Sequence, residues 1–477
     1  MDRKWLAASL LLFFLVTAGE GFAQKEADSV LIRRLADTIL TDSKAYSNLR
    51  TLTKTVGARL SGSAGYYKAE VWGQQALQDA QADRVWLQEC MVPHWVRGGK
   101  DSAALLWSKG NAVTQYGLDI LALGNSAGTG AGGGAGEGGG SNKGILAPVM
   151  MVRSFDELER RKDEVRGKIV FYNYPFNPLF VETFQAYGDA VRYRGAGASR
   201  AAKYGAVGML VRSMSSSVDN NPHTGALNYN DSFPKIPAAA VGLRDADRIA
   251  WEVDHNTAAN LTIYLRTGAH MLPDTLAHNV IAELRGSEFP DQYITVGGHL
   301  DSWDPAEGAQ DDGAGCVQSI EVLRALKAIG YKPRHTIRVV LFANEENGGR
   351  GGRKYAAAAK ENHETHLLGL ESDNGGFTPR AFTLSLPEEK LAGLRGWVKL
   401  LEPYGVYALE HGGGGSDVNP LGPQLGAVVG ELRPDSQRYF DYHHSRADVL
   451  ENVNKRELEM GTVNMAALVY LVDKYGF

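Results

Sequence analysis

Cysteine is nearly absent from this chain. Cys90 and Cys316 are the two in 477 residues, too few for a disulfide-stapled scaffold or a thiolate metal cluster. No block of basic residues occurs, and a formal net charge of -5 gives nucleic acid no electrostatic footing. Beyond residue 18 there is no apolar run approaching the roughly 20 residues a spanning helix needs. The one glycine-dense tract, 125–143, lacks the Gly-Lys-Ser/Thr ending of a phosphate loop, and no strong strand leads into it. It reads as a surface loop or linker. What remains is an ordinary globular composition, 44% hydrophobic and 22% charged, in a chain long enough for two or three domains.

The first residues read as an address. Arg3 and Lys4 precede an apolar run over 5–18, and Gly21 and Ala23 place small residues at the -3 and -1 positions of a cleavage site. Residues 1–23 are therefore expected to be a signal peptide, and the mature chain, starting near Gln24, to be periplasmic or secreted without a stable membrane span. Residues 24–124 read as the N-terminal part of a larger domain. Leu31, Ile32, Leu35, Ile39 and Leu40 recur at helical spacing, 65–81 is a second helical stretch, and 83–96 is extended. Residues 125–272 combine the glycine tract with short apolar strands near 145–152, 167–174, 207–211 and 238–241, around a helical stretch at 196–204. From 273 to 477 strands and helices alternate, as in a mostly parallel α/β sheet.

Ligand-type residues fall at the ends of those strands. His299 and Asp301 close one strand, Glu345 and Glu346 follow another, Asp373 follows a third, and Asp311 and Asp312 stand before a helix. Open α/β sheets bind their ligands at the carboxyl ends of strands. Imidazole and carboxylate together suit zinc. Two zinc ions carry four positive charges, of which Asp311, Glu346 and Asp373 neutralise three, leaving one for a hydroxide. One carboxylate must bridge the metals to hold them about 3.5–4 Å apart.

Four ordered motifs, GGHLDSWDPAEGAQDDGAGC (297–316), LFANEENGGRGG (341–352), ESDNGG (371–376) and HHSRAD (443–448), together resemble the co-catalytic di-zinc aminopeptidase family. The Trp after Asp-Ser narrows the resemblance to its carboxypeptidase Q (plasma glutamate carboxypeptidase) group. The fragments GKIVFYNYP, AAKYGAVGMLVRS and KIPAAAVG resemble the protease-associated domain, an insertion that shapes or lids the cleft or holds a homodimer together. The resemblance covers essentially the whole mature chain. It implies a zinc-exopeptidase (phosphorylase/hydrolase-like) α/β fold with that insertion at 125–272 and a catalytic domain at 273–477.

The resemblance also assigns roles. His299 and Asp373 would hold one zinc, Glu346 and His444 the other, with Asp311 bridging. Glu345 would be the general base, and Asp301 would orient His299. Asp312 is the rival bridge but reads as a helix cap, and His443 is the rival to His444, whose following Ser445 and Asp448 fit the family form. Ser416 or Asp417, in a glycine-rich turn, are candidates for contacting a substrate terminus; Tyr439 and Tyr442 match a carbonyl-polarising position only loosely. The expected activity is hydrolysis of dipeptides or short unblocked peptides. An aminopeptidase on longer peptides, a one-zinc glutaminyl cyclase and a non-catalytic receptor or scaffold are the alternatives, the last two opposed by the complete ligand set.

Overall fold

The computed structural model describes residues 27–109, 112–130, 144–256 and 260–477. The expected signal peptide and most of the glycine tract lie outside the described residues.

The centre of the molecule is an eight-stranded mixed sheet. Its strands in chain order are β1 (Arg84–Val96), β2 (His270–Leu284), β3 (Phe289–His299), β4 (His335–Phe342), β5 (Thr365–Glu371), β6 (Pro379–Leu384), β7 (Ala408–His411) and β8 (Val428–Pro434). In space the order is β1-β2-β4-β3-β5-β8-β6-β7. The middle four strands, β4-β3-β5-β8, run parallel, whereas β1 and β2 pair antiparallel to each other and β2 antiparallel to β4.

Every residue of β4 is buried, which explains the unbroken apolar run Val339–Phe342: a parallel strand covered on both faces has no polar side to show. Its side chains alternate between two cores. Val339 and Leu341 pack with helices α1 (Ala64–Asp79), α3 (Ala314–Ala328) and α5 (Lys455–Tyr475) on one face. Val340 and Phe342 pack with Tyr355 of α4 (Arg350–Glu361) on the other. Each such side chain contributes about 1.5–3 kcal/mol by leaving water. The two cysteines are separate buried thiols; Cys316 donates to the carbonyl of His299 (3.1 Å) and so steadies the end of β3.

Between β1 and β2 the chain leaves to build a second eight-stranded sheet. Four of its strands, Ile145–Val152, Ile169–Tyr172, Gly208–Arg212 and Ala238–Val241, run parallel to one another. Helix α2 (Thr183–Ala202) covers them through Ala190, Tyr193 and Ala198. It begins well before the 196–204 stretch expected from sequence, because small residues hide the apolar face of its first half.

The boundary expected at residue 125 falls inside this second sheet. Ser102–Lys109, Ala112–Leu118 and Ile120–Ala122 belong to it rather than to the central domain. Nor does the glycine tract begin as a free linker. Ser126 is buried, Trp95 Nε1 donates to its carbonyl (3.0 Å), and Ala127 bridges to Pro237. Among the described residues no helix is long and apolar enough to cross a membrane.

Candidate metal centre

Because β3, β4 and β5 are parallel, their carboxyl ends open on one edge, where His299 ends β3, Glu345 and Glu346 follow β4, and Asp373 follows β5. Two further segments complete the cluster. The loop 300–313 carries Asp311, and the turn after residue 442 carries His444 in the left-handed region at φ 59°. The loop is tied down by two residues far away in sequence. Arg59, fully buried, donates to the carbonyls of Leu300 (2.6 Å), Glu307 (2.6 Å) and Gly308 (2.8 Å). Asp448 accepts from the backbone N–H groups of Ala309 (3.0 Å), Gln310 (2.6 Å) and Asp311 (3.2 Å).

The geometry is that of two half-sites sharing one carboxylate. His299 Nε2 lies 3.1 Å from Asp311 Oδ1 and 3.3 Å from Asp373 Oδ1. His444 Nε2 lies 3.2 Å from Asp311 Oδ2 and 3.1 Å from Glu346 Oε2. Asp311 thus turns one oxygen to each side, and its buried Oδ2 has no hydrogen-bond partner among the described residues. The ligand atoms of His299, Asp311 and Asp373 lie within 4.8 Å of one another, as do those of Asp311, His443 and His444. His443 reaches Asp311 from 3.7 Å and stacks on His444 with ring centroids 3.5 Å apart. Only His444 of the two also has Glu346 beside it.

Electrostatics test whether cations fit. Burial, reinforced by the charge of Asp311, pushes Glu346 up to about 8. Burial, with Asp311 and Glu345 adding to it against the pull of His299, pushes Asp373 up to about 7. Asp311 moves the other way: burial opposes its ionisation, but the close imidazoles of His299 and His444 outweigh it and hold it well below the usual range. Carboxylates this crowded keep protons near neutral pH unless cations replace them. The donor set and the orphaned Asp311 oxygen fit a pair of divalent ions.

The remaining expected residues divide. Asp301 lies beneath His299, but its main-chain carbonyl receives the imidazole Nδ1 (3.0 Å) while its carboxylate stands off at 3.7 Å. That carboxylate accepts from the Glu345 N–H (3.1 Å) and Ser61 Oγ (3.2 Å). Asp312 points away from the cluster and accepts from the N–H groups of His299 (3.1 Å) and Gly315 (2.9 Å), capping the start of α3.

Glu345 is half-buried and faces a cleft of about 350 Å³ together with Asp373, His443, His444, Ser416 and Tyr439. Asp417 does not line that cleft; it is fully buried and accepts from the Gly352 N–H (3.2 Å). The opposite wall comes from α2 of the inserted unit, through Phe184, Tyr187 and Arg194. Sequence reasoning missed those three, as well as Arg59 and the role of Asp448. The Asp448 signal was present in the HHSRAD motif; the others sit in segments with no motif.

A mixed α/β sheet whose parallel strand ends gather two imidazoles and four carboxylates beneath a cleft defines a metal-dependent hydrolase. Residues 279–469 match the model of peptidase family M28. Over 433 residues the chain is 37% identical to human carboxypeptidase Q, covering 91% of this chain and 85% of that protein. The crystal structure of a peptidase M28 precursor from Shewanella amazonensis SB2B superposes with a TM-score of 0.86 at 31% identity, covering 94% of this chain and 97% of that one. BSAP, a zinc aminopeptidase from Bacillus subtilis, shares the fold at 18% identity, with a TM-score of 0.58 over 89% of this chain and 93% of its own. The chain belongs to peptidase family M28, in its carboxypeptidase Q group, and is a zinc metallo-exopeptidase acting on peptides.

Proposed function

We propose that this enzyme is an exported di-zinc dipeptidase, hydrolysing dipeptides or short unblocked peptides. The observation that carries the reading is the pair of half-sites joined by Asp311 at the floor of a cleft walled by Phe184 and Tyr187. The second sheet is read as a protease-associated insertion spanning about 102–266, and residues 1–23 as the export signal.

In this reading His299 and Asp373 would hold one zinc and Glu346 and His444 the other, with Asp311 shared between the two. Zinc bound there supplies Lewis acidity toward the scissile carbonyl and lowers the pKa of water. Glu345, free of the ligand set and facing the cleft, takes the proton from the attacking water and returns it to the leaving amine. Asp301 orients His299 through its carbonyl and Glu345 through its carboxylate. Ser416 faces the substrate, while Asp417 stiffens the wall behind it.

Glu345→Gln should lower kcat by at least about 10²-fold with both zinc ions retained, and the wild type should cleave free dipeptides in preference to the amino-terminal bond of pentapeptides. Wild-type turnover in the variant would refute the role of Glu345. A preference for pentapeptides would favour the aminopeptidase alternative.

A further inference from the structure

A zinc-binding imidazole that uses Nε2 must carry its proton on Nδ1, and whatever accepts that proton fixes the ring. The two histidines of the cluster solve this differently. His299 Nδ1 points to the carbonyl of Asp301 (3.0 Å), two residues away at the end of the same strand. His444 Nδ1 points to the carbonyl of Thr224 (3.1 Å), 220 residues away in the inserted unit.

The contact with the inserted unit runs in both directions. The Thr224 N–H donates back to the His444 carbonyl (2.9 Å), so the two residues exchange a reciprocal pair of hydrogen bonds. Thr224 is itself secured, its Oγ1 donating to the Ala122 carbonyl (2.8 Å). Its carbonyl also receives Arg194 Nη1 (3.2 Å), while Nη2 of the same guanidinium is anchored on the Tyr187 hydroxyl (2.6 Å). Arg194 Nη1 and His444 Nδ1 stand 3.4 Å apart. With Nδ1 protonated both atoms are donors, and the Thr224 carbonyl serves both.

The next residue must be glycine. At φ 128° a Cβ on Gly225 would lie 2.5 Å from the Arg194 guanidinium carbon and 2.6 Å from His444 Nδ1. The backbone therefore lies flat against the ligand with no room for a side chain. His444 is a non-glycine residue in left-handed backbone, a conformation that persists only where its surroundings impose it.

We propose that Thr224, Gly225 and Arg194 of the inserted unit are positioning residues for His444, so that the insertion governs zinc affinity at one of the two metal positions and leaves the other to the central domain. This rests on the ligand roles given under Proposed function. Moving this strap of Thr224 and Gly225 releases His444; it leaves His299, Asp301 and Asp373 where β3 and β5 hold them.

The test is zinc release to a chromophoric chelator from the full-length wild type, Arg194→Ala and Gly225→Ala, with cobalt-substituted protein as a second readout. Wild type is expected to hold two zincs. In each variant one zinc should be released with affinity weakened about 10- to 100-fold, the other keeping its wild-type profile, and the visible spectrum of one bound cobalt should change. Arg194→Ala carries the test if Gly225→Ala does not fold, since it removes a side chain without creating a clash. Two zincs in the wild type with an unchanged Arg194→Ala profile, or equal loosening of both zincs, would overturn the strap alone. Fewer than two zincs in the wild type would overturn the ligand reading and the strap with it.

Discussion

Glu345 and Glu346 are adjacent in sequence and opposite in circumstance. Glu346 is buried with His444 and accepts from the Trp303 N–H (3.2 Å), so its carboxylate is committed. Glu345 is anchored only through its backbone, leaving its side chain in the cleft. One residue of offset beyond a buried strand separates the proposed ligand from the proposed base. His223 shows what burial does to a group without such partners. It is buried beside the strap, and neither ring nitrogen has a hydrogen-bond partner among the described residues. Burial first, with His444 and Arg194 adding to it against the pull of Asp219, depresses it from 6.5 to about 4. Between those two pH values the unfolded chain binds a proton that the folded chain refuses, so stability is lost as pH falls through this window and is unaffected above it. The loss should approach roughly 3 kcal/mol. His223→Leu should remove that share, so the wild-type thermal midpoint should fall relative to the variant's as pH drops from 6.5 to 4. Parallel curves would show that His223 is not the acid-sensitive group.

At the scale of elements, the loop 300–313 is the part most dependent on distant residues. Its backbone turns too sharply to pair with a strand, so its carbonyls and N–H groups are satisfied by Arg59 from before α1 and Asp448 from before α5. Arg59→Ala would orphan three carbonyls, two of them in bonds that are buried outright, at about 1–3 kcal/mol each. Its expected effect is a loss of at least about 3 kcal/mol in denaturant unfolding; a loss under 1 kcal/mol would show that water replaces the guanidinium.

This is also where the sequence was least informative. The strands β3, β4 and β5 were legible because a parallel strand buried on both faces is a continuous apolar run. So was α3, because its apolar residues recur at helical spacing. Arg59 was not, since a guanidinium capping carbonyls across 241 residues leaves no local pattern. The early start of the second sheet at Ser102 was hidden for a related reason: Ala112–Leu118 is mostly exposed and carries little apolar alternation.

At the scale of the whole molecule, the sequence pointed to the residues of the cluster and concealed the cleft. His299, Glu346 and Asp373 come together because each ends or follows a parallel strand of the central sheet, and Asp311 and His444 join them from the loop 300–313 and the turn after residue 442. The far wall is built by a unit inserted between β1 and β2, and nothing in a linear reading says that Phe184 should lie over Tyr439 (ring centroids 5.2 Å apart) and Phe440 (4.9 Å). This aromatic contact joins the two units at the cleft, and a second apolar cluster joins them where Trp95 and Trp303 of the central domain (ring centroids 6.0 Å apart) pack against Ala122 and Ala226 of the inserted unit. The cleft and the contacts that hold His444 thus both lie where the two units meet.

The most direct measurement of the central claim is a zinc titration of chelator-stripped protein, following turnover of an unblocked dipeptide against bound metal. Two half-sites sharing Asp311 predict binding of two zinc ions per chain, with full activity reached only as the second is taken up. Saturation of both binding and activity at a single zinc per chain would contradict it.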